Sequence, residues 1–248
     1  MEYVMYLQNV TNNPAFIAEC QRAALKMATA SAKGQFQSWR EAAAASTNGR
    51  RIAQLLRKET TTDPFISQAV TNITISNSQL IKTVPSSIAK NLSASIQKQK
   101  MAGARPEEMI NGIMRQAKHL SVSQARRIAR TEAQKASTTL REARALKYGR
   151  PFYVWYTSKD ERVRSTHERM HGVVCRWDDA PNPEALFGSK YNYGAYHAGN
   201  IFNCRCIPLS VISISDLSFP VRCHKNGQIK TCGSKKAFMV FYGIDSDE

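Results

Sequence analysis

Histidine and cysteine side chains of the kind that bind metal ions are concentrated in the last third of the chain. His167 and His171 are four residues apart, so a helix would present both on one face. Cys204 and Cys206 are separated by one residue, and an extended segment would point both thiols to the same side. Structural zinc sites combine imidazole and thiolate ligands in tetrahedral geometry. The candidate zinc ligands are therefore His167, Cys204, Cys206 and one of His171, His197 or Cys175.

The same residues have an interpretation without metal. Cys204 and Cys206 would then be small packed side chains, and His167 would be hydrogen-bonded to Asp160 or Glu132. A carboxylate, arginines and a histidine could also serve phosphodiester hydrolysis, with the histidine as general base. No spacing in this segment specifies that geometry, and the sequence contains no Gly-rich phosphate loop, HExxH motif or nucleophile elbow. We therefore expect a protein that is not an enzyme.

A long basic helix is predicted over residues 121–149, ahead of these side chains. Small apolar residues at helical spacing form one stripe, and basic residues occupy the remaining surface. Glu132 and Glu142 are the acidic residues that could balance them. Such a surface binds DNA phosphates without reading the base sequence, and the alternative is a solvated charged face. The predicted DNA-contacting residues are Arg126, Arg127, Arg130, Lys135, Arg141, Arg144 and Lys147.

The composition, with 42% hydrophobic and 22% charged residues, is that of a globular protein. Apolar runs are shorter than the roughly 20 residues that span a bilayer, and no signal-peptide pattern occurs, so we expect folding in a cytosol without membrane contact. Six cysteines in 248 residues are too sparse for a disulfide scaffold. The net charge is +16, and residues 86–150 contain 14 Lys and Arg against 4 Asp and Glu, so nucleic acid is the expected polyanionic partner.

Residue patterns predict an α+β protein with a helical N-terminal half. Helix-forming residues fill positions 1–85, apart from a Thr-, Ser- and Asn-rich stretch at 60–78 that favours a connection. Helical spacing continues over residues 86–150, with a helix expected at 106–119. Gly149 stands where a C-terminal helix cap is expected.

A compact, loop-rich α+β unit is predicted for residues 151–213, beginning with the strand-like run FYVWYTSKD. Residues 214–248 are expected to form a small β-hairpin element. Its turn is Asn226-Gly227, which places Lys225 opposite Gln228, and the segment KKAFMVFYG is a candidate third strand.

Three motifs follow one another in this sequence: ARTE at 129–132, DERVRSTHERMHG at 160–172 and NCRC at 203–206. In this order they resemble the minor head proteins of tailed bacteriophages, the phage Mu F-like head morphogenesis family. The resemblance covers residues 86–213. It implies a domain in which basic helices (86–150) precede the α+β unit (151–213), between an N-terminal helical region (1–85) and a C-terminal extension (214–248).

The resemblance implies a structural protein of a phage or prophage particle, present in few copies inside the head and docked near the portal. The expected partners are the portal protein, sequence-neutral double-stranded DNA, and the major capsid or scaffolding protein. The protein would be in the host cytoplasm during assembly and then in the virion. The alternatives are a metal-dependent nuclease or toxin-like effector, for which little chain remains beyond residue 213, and a basic DNA-binding protein unconnected with capsids.

The resemblance also implies a network around the histidine, because the Arg-Thr-Glu and Asp-x-Arg-x-Arg-x-x-His motifs recur together in the family. Some members place cysteines at the positions of Arg164 and His167, which with Cys204 and Cys206 looks like a four-sulfur zinc site. Arg164 departs from that pattern. The predicted network residues are Glu132, Asp160, Arg162, Arg164 and His167.

Overall fold

The computed structural model of the protein describes residues 9–10, 12–60, 63–101, 127 and 130–245. In this part of the chain helices come first, and a mixed sheet with short helices follows. The predicted α+β class with a helical N-terminal half is confirmed. The helices ahead of the sheet are α1 (Pro14–Ala45), α2 (Arg50–Arg57), α3 (Pro64–Met101) and α4 (130–147).

The described C-terminal part forms a five-stranded sheet in the order β3-β1-β2-β4-β5. Strands β2 and β4 are parallel, and the other neighbouring strands are antiparallel. The elements in chain order are β1 (Phe152–Tyr156), α5 (Ser165–Met170), β2 (Val173–Arg176), α6 (Pro183–Leu186), β3 (Ile207–Ser210), a 3-10 helix (Ile214–Asp216), β4 (Val221–Lys225), β5 (Gln228–Cys232) and α7 (Lys235–Tyr242).

The chain divides into two compact units. The first contains Met1–Ala28 and Thr71–Glu132, and the second contains Thr29–Val70 and Ala133–Glu248. This grouping differs from the predicted boundaries after residues 85 and 213. Strand β4 pairs with β2 in one sheet, so the C-terminal hairpin belongs to the same unit as residues 151–213 rather than forming a separate extension.

In the first unit, the described part of α1 buries small side chains at four-residue intervals: Cys20, Ala24 and Ala28. Ile73 on α3 is buried as well. Side chains of this size let helices approach closely, and their four-residue spacing is that of one helix face. The described part of this unit therefore consists of packed helices, as the sequence predicts.

The prediction of a connection at 60–78 is wrong, because helix α3 begins at Pro64 and continues through these residues. Pro64 occupies the first turn, where its missing N–H costs no hydrogen bond, and Asp63 Oδ1 accepts a hydrogen bond from the backbone N–H of Phe65 at 3.1 Å. Ile66 and Ala69 are buried three residues apart. Capping and this buried stripe outweigh the weak helix propensity of the Thr, Ser and Asn residues.

Helix α4 ends as predicted at Gly149, whose φ is +64°. The backbone N–H of Gly149 donates to the carbonyl of Leu146, and that of Arg150 donates to the carbonyl of Ala145 at 2.7 Å. This pair of hydrogen bonds is the Schellman motif, which favours glycine at the left-handed position. The helix predicted at 106–119 and the start of α4 near residue 121 lie outside the described residues.

The sheet separates two buried cores because side chains alternate along its strands. Tyr153 and Trp155 of β1 point to one face, where they pack with Trp39 and Ile52 of the preceding helices. Phe152 points to the other face, where the core includes Val174 and two aromatic side chains of α7, Phe238 and Tyr242. The first core surrounds the cysteine and histidine residues that the sequence singles out.

The predicted β-hairpin is confirmed. Lys225 pairs with Gln228, and the turn residues Asn226 and Gly227 both have positive φ.

The segment predicted as a third strand is instead helix α7. Ser234 caps the helix by accepting a hydrogen bond from Ala237 N at 3.2 Å, and Gly243 ends it with φ of +69°. Phe238 and Tyr242 are four residues apart and buried, whereas Val240 between them is 75% exposed. A strand would place all three side chains on one face, so this pattern is that of a helix.

Candidate functional site

A buried cluster of one imidazole and two thiols lies in the second unit, between α5 and the segment that leads into β3. His167 is on α5, whose side chains Thr166 and Met170 are also buried. Cys204 and Cys206 immediately precede β3 at Ile207. The two segments are far apart in sequence, and the Trp155 ring of β1 packs edge-on against His167 with centroids 5.4 Å apart.

The ligand atoms of the three residues face one another. His167 Nδ1 is 3.5 Å from Cys204 Sγ and 3.4 Å from Cys206 Sγ. The three candidate ligand atoms all lie within 4.8 Å of one another, and the residues are 1%, 3% and 1% exposed. Histidine and cysteine are both zinc ligands, so the cluster could supply three ligands to one metal ion.

The second nitrogen of His167 is held by a buried tyrosine and carboxylate. His167 Nε2 lies 2.9 Å from the hydroxyl of Tyr196, which donates its own hydrogen to Glu184 at 2.6 Å from Oε2. Thr166 also donates to Glu184, at 3.2 Å from Oε1. Because the tyrosine hydrogen is directed at the carboxylate, the tyrosine oxygen accepts from His167 Nε2–H. His167 Nδ1 then carries a lone pair that faces the two thiols.

The two thiols have different pKa values because they share a hydrogen bond. The hydrogen bond from Cys206 is the largest of the effects that lower the pKa of Cys204 to about 4. The same contact with Cys204, together with burial, raises the pKa of Cys206. In the absence of metal, Cys206 therefore keeps its hydrogen and Cys204 is the more readily ionised thiol.

The candidate fourth ligands lie elsewhere in the described part of the chain. His171 is the C-cap residue of α5, and its Nδ1 accepts a hydrogen bond from the backbone N–H of Thr157 at 3.2 Å. His197 Nδ1 is 3.1 Å from the hydroxyl of Tyr153. Cys175 is packed in the same core as Cys204 and Cys206, but neither it nor the two histidines belongs to the described group whose ligand atoms lie within 4.8 Å of one another. The choice of His171, His197 or Cys175 as fourth ligand is therefore corrected.

The predicted network has different partners from those expected. Asp160 forms an ion pair with Arg205 and accepts a hydrogen bond from the backbone N–H of Arg162 at 2.9 Å. These contacts, the Arg162 hydrogen bond first, lower the pKa of Asp160. Arg164 donates to the carbonyl of Phe202 at 2.9 Å, and its guanidinium lies over the Phe202 ring. The expected bond between Asp160 and His167 is replaced by the bond from His167 to Tyr196.

Glu132 lies in the first unit and is buried. Its predicted contact with the Arg162 and Arg164 motif, which lies in the second unit, stays a prediction.

Several side chains predicted to face DNA are buried inside the second unit. Arg141 donates to the side chain of Gln35 and, at 2.7 Å, to the carbonyl of Pro208. Arg144 is 2% exposed and forms an ion pair with Glu59 at 2.8 Å. Buried guanidinium groups with internal partners cannot reach phosphates. The prediction is corrected for Arg141 and Arg144.

Lys147 also bonds within the protein, at 3.7 Å from Glu59 and in close contact with Asp63. Arg127 and Arg130 are exposed, Lys135 is half-buried, and Arg126 lies outside the described residues. Of the seven predicted DNA-contacting residues, Arg127 and Arg130 are therefore the exposed ones among the described residues, because the later turns of α4 pack against α1, α2 and the beginning of α3.

Glu184 and Tyr196 were not identified from the sequence. The Asn182-Pro183 pair gives a signal for a helix start, and Asn182 Oδ1 accepts from the backbone N–H of Ala185 at 3.0 Å. That signal places Glu184 in the first turn of α6 but not in the core. Its burial depends on tertiary packing, which no local pattern reveals.

The fold and the cluster define an α+β protein with a helical N-terminal half and a buried thiol–imidazole centre. Residues 87–208, about half of the chain, match the family described as Phage Mu protein F like protein. This segment belongs to that family, and the resemblance predicted from the sequence is confirmed. The family points to the class of phage head morphogenesis proteins. No helix in the described part of the chain is both long and apolar enough to cross a membrane.

A relative described as an uncharacterized protein of Haemophilus influenzae is 29% identical over 152 residues, which are 60% of this chain and 31% of the relative. The chain therefore spans about a third of the length of that curated relative. No solved structure gives a significant match to the chain.

Proposed function

We propose that this protein is a minor head protein of a tailed phage or prophage, placed inside the head near the portal and contacting packaged DNA. The observation that carries the proposal is the family match over residues 87–208. The role is structural rather than enzymatic. Portal and capsid or scaffolding proteins are the proposed protein partners, and the virion is the proposed location.

Two features support non-specific DNA contact. The net charge of +16 attracts a polyanion, and the side chains of Arg127, just ahead of α4, and Arg130, at its start, are exposed. Lysines and arginines recur through residues 86–126, which extends the basic sequence ahead of α4. Contacts to phosphates alone give binding that is independent of base sequence and weakens steeply with salt.

The DNA contact is tested by measuring affinity for a random-sequence duplex over a salt series. Replacing Arg127 and Arg130 with alanine removes two exposed cations, so the slope of log K against log salt is expected to become shallower by about 2. The matched control replaces Arg50 and Arg51, which are exposed on α2, with alanine. An equal change in both double variants would mean that net charge, and not this surface, governs binding.

We further propose that His167, Cys204 and Cys206 hold one zinc ion. Zinc bonds to nitrogen of about 2.0 Å and to sulfur of about 2.3 Å in tetrahedral geometry separate such ligand atoms by roughly 3.5 Å. The 3.5 Å and 3.4 Å distances from His167 Nδ1 to the two sulfur atoms match that spacing. Three protein ligands of suitable type are thus in place among the described residues.

Zinc at this position would cross-link α5 to the segment before β3, two parts of the chain that are separated by a long connection. Its binding free energy would add to the stability of the second unit. We expect one zinc per chain and a lower Tm after treatment with a chelator. Cys204→Ser should remove both effects, whereas Cys232→Ser, a buried thiol on the opposite face of the sheet, should keep them.

The head location is tested by purifying particles and identifying their proteins by mass spectrometry. The protein should be found in DNA-filled heads and be depleted from isolated tails. Incubation of the pure protein with duplex DNA and zinc tests the alternative, because a nuclease would cut the DNA. Cleavage that depends on His167 would replace the structural proposal with an enzymatic one.

A further inference from the structure

We infer that Tyr196 and Glu184 are positioning residues for the proposed zinc ion: they hold His167 in the form that presents Nδ1 to the metal. This inference rests on the zinc part of the proposed function. It names side chains that are not ligands and that the family match does not single out. Its basis is a continuous set of hydrogen bonds behind the imidazole.

The hydrogen-bond directions leave one arrangement of hydrogens. Glu184 accepts from Tyr196 and from Thr166, at 2.6 Å and 3.2 Å. With its hydrogen directed at the carboxylate, the Tyr196 oxygen can act only as acceptor toward His167 Nε2, 2.9 Å away. When the imidazole is neutral, its hydrogen is therefore on Nε2. The lone pair on Nδ1 points toward Cys204 and Cys206.

Glu184 is 2% exposed and would be unfavourable in the core without compensation. Two hydroxyl donors supply part of that compensation, and the carboxylate lies 3.8 Å from His167 Nε2. A metal ion on the far side of the imidazole would place positive charge opposite this carboxylate. Carboxylates behind metal-bound histidines fix the ring orientation and raise the basicity of the ligand nitrogen.

A second tyrosine–histidine pair in the same core provides a matched comparison. Tyr153 and His197 are in contact at 3.1 Å and are both buried. The His197 ring packs against Tyr153 and Trp177. Removing the Tyr153 hydroxyl thus breaks a similar buried contact without touching the cluster around His167.

The experiment measures zinc affinity of the full chain by competition with a chromophoric chelator, using Tyr196→Phe, Glu184→Gln and the control Tyr153→Phe. Loss of the Tyr196 hydroxyl leaves His167 Nε2–H without its acceptor and allows the hydrogen to move to Nδ1, where it blocks the metal. Affinity is expected to fall 10- to 100-fold, roughly the range for such outer contacts, in Tyr196→Phe and to fall in Glu184→Gln. Tyr153→Phe should bind as the wild type does.

A spectroscopic measurement separates positioning from loss of structure. In ¹⁵N NMR spectra of the wild type, His167 should have its hydrogen on Nε2 and shift at Nδ1 when zinc is added. In Tyr196→Phe both tautomers should appear in the metal-free protein. Glu184→Gln keeps the shape of the side chain and serves as the folded variant if Tyr196→Phe is unstable, as checked by circular dichroism.

Each outcome bears on a different part of the proposal. Wild-type binding with unchanged affinity in Tyr196→Phe and Glu184→Gln would overturn the positioning role and leave the zinc site standing. Absence of zinc binding in the wild type would overturn both. Neither result would bear on the proposed location in the phage head, because that location is tested by the protein content of purified particles.

Discussion

At the scale of single residues, the sequence identifies the side chains that meet and misses those that hold them in place. His167, Cys204 and Cys206 were predicted as a group from their types and spacing, and their ligand atoms lie within 4.8 Å of one another. His171 was expected beside His167, but its ring accepts a hydrogen bond from the backbone of Thr157. Four-residue spacing shows that two histidines can share a helix face, but not that both side chains turn toward the same partners.

One prediction at this scale concerns His197, for which burial lowers the pKa from 6.5 to about 4. The unfolded chain binds a proton at this residue below about pH 6.5 while the folded protein does not, so stability must fall as the pH drops from about 6.5 toward 4. The full effect is about 3 kcal/mol. Urea unfolding at pH 7 and pH 5 measures the part that is lost by pH 5, about 2 kcal/mol.

His197→Gln is the control for this pH dependence because glutamine does not titrate. Its free energy of unfolding should change less between the two pH values than that of the wild type. Burial also lowers the pKa of His224, so some dependence of the same sign should remain. A pH profile that is identical in wild type and variant would assign the effect to other groups.

At the scale of elements, regular helices and the hairpin were predictable because their signals are local. Gly149 and the Asn226-Gly227 turn each supply a backbone conformation that few other residues adopt. The burial of Arg141 and Arg144 was not predictable, since a stripe of alanines on α4 gives little contrast between its faces. Only the packing of α4 against α1 and α2 determines which basic residues face inward.

The buried ion pair between Arg144 and Glu59 leads to a second prediction. Arg144→Ala leaves the Glu59 carboxylate buried beside Lys147 and Tyr148 without its principal partner. Breaking such a pair costs about 3 to 5 kcal/mol in free energy of unfolding, measured by urea denaturation. Asp178→Asn, which breaks the exposed pair with Arg176, should cost about 0 to 1 kcal/mol. Equal costs would mean that Arg144 is solvated in solution.

A third prediction concerns Gly199, which has φ of +84° and lies beside the cysteine segment. An added Cβ would lie 2.6 Å from Thr138 Oγ1 and 2.9 Å from the carbonyl oxygen of Cys206. Gly199→Ala should therefore displace α4 from this segment. At Gly227, whose φ is +72°, the same substitution meets nothing within 4 Å.

The two alanine variants isolate the steric effect because both glycines have positive φ. Gly227→Ala should cost about 1 to 2 kcal/mol from backbone strain alone. Gly199→Ala should lower the Tm further and weaken zinc binding. If the two variants lose equal stability, the contacts around Gly199 are looser than the distances indicate.

At the scale of the whole molecule, the ordered motifs predicted the family more reliably than composition predicted the boundaries. The family match over 87–208 ends within β3, whereas β4 and β5 complete the same sheet. The strand-like run beginning at Phe152 and the hairpin were both anticipated, but the parallel pairing of β2 with β4 was not. Parallel strands join through long connections, and a sequence contains no local signal for that partnership.

The most direct test of the central proposal is co-sedimentation of the pure protein with the purified portal protein of the same phage or prophage, with and without duplex DNA. A minor head protein should sediment with the portal in both conditions. Its additional DNA binding should disappear as salt is raised and should leave the DNA uncut. Failure to associate with the portal, together with cleavage of the DNA, would contradict a role in the head and identify the protein as a nuclease.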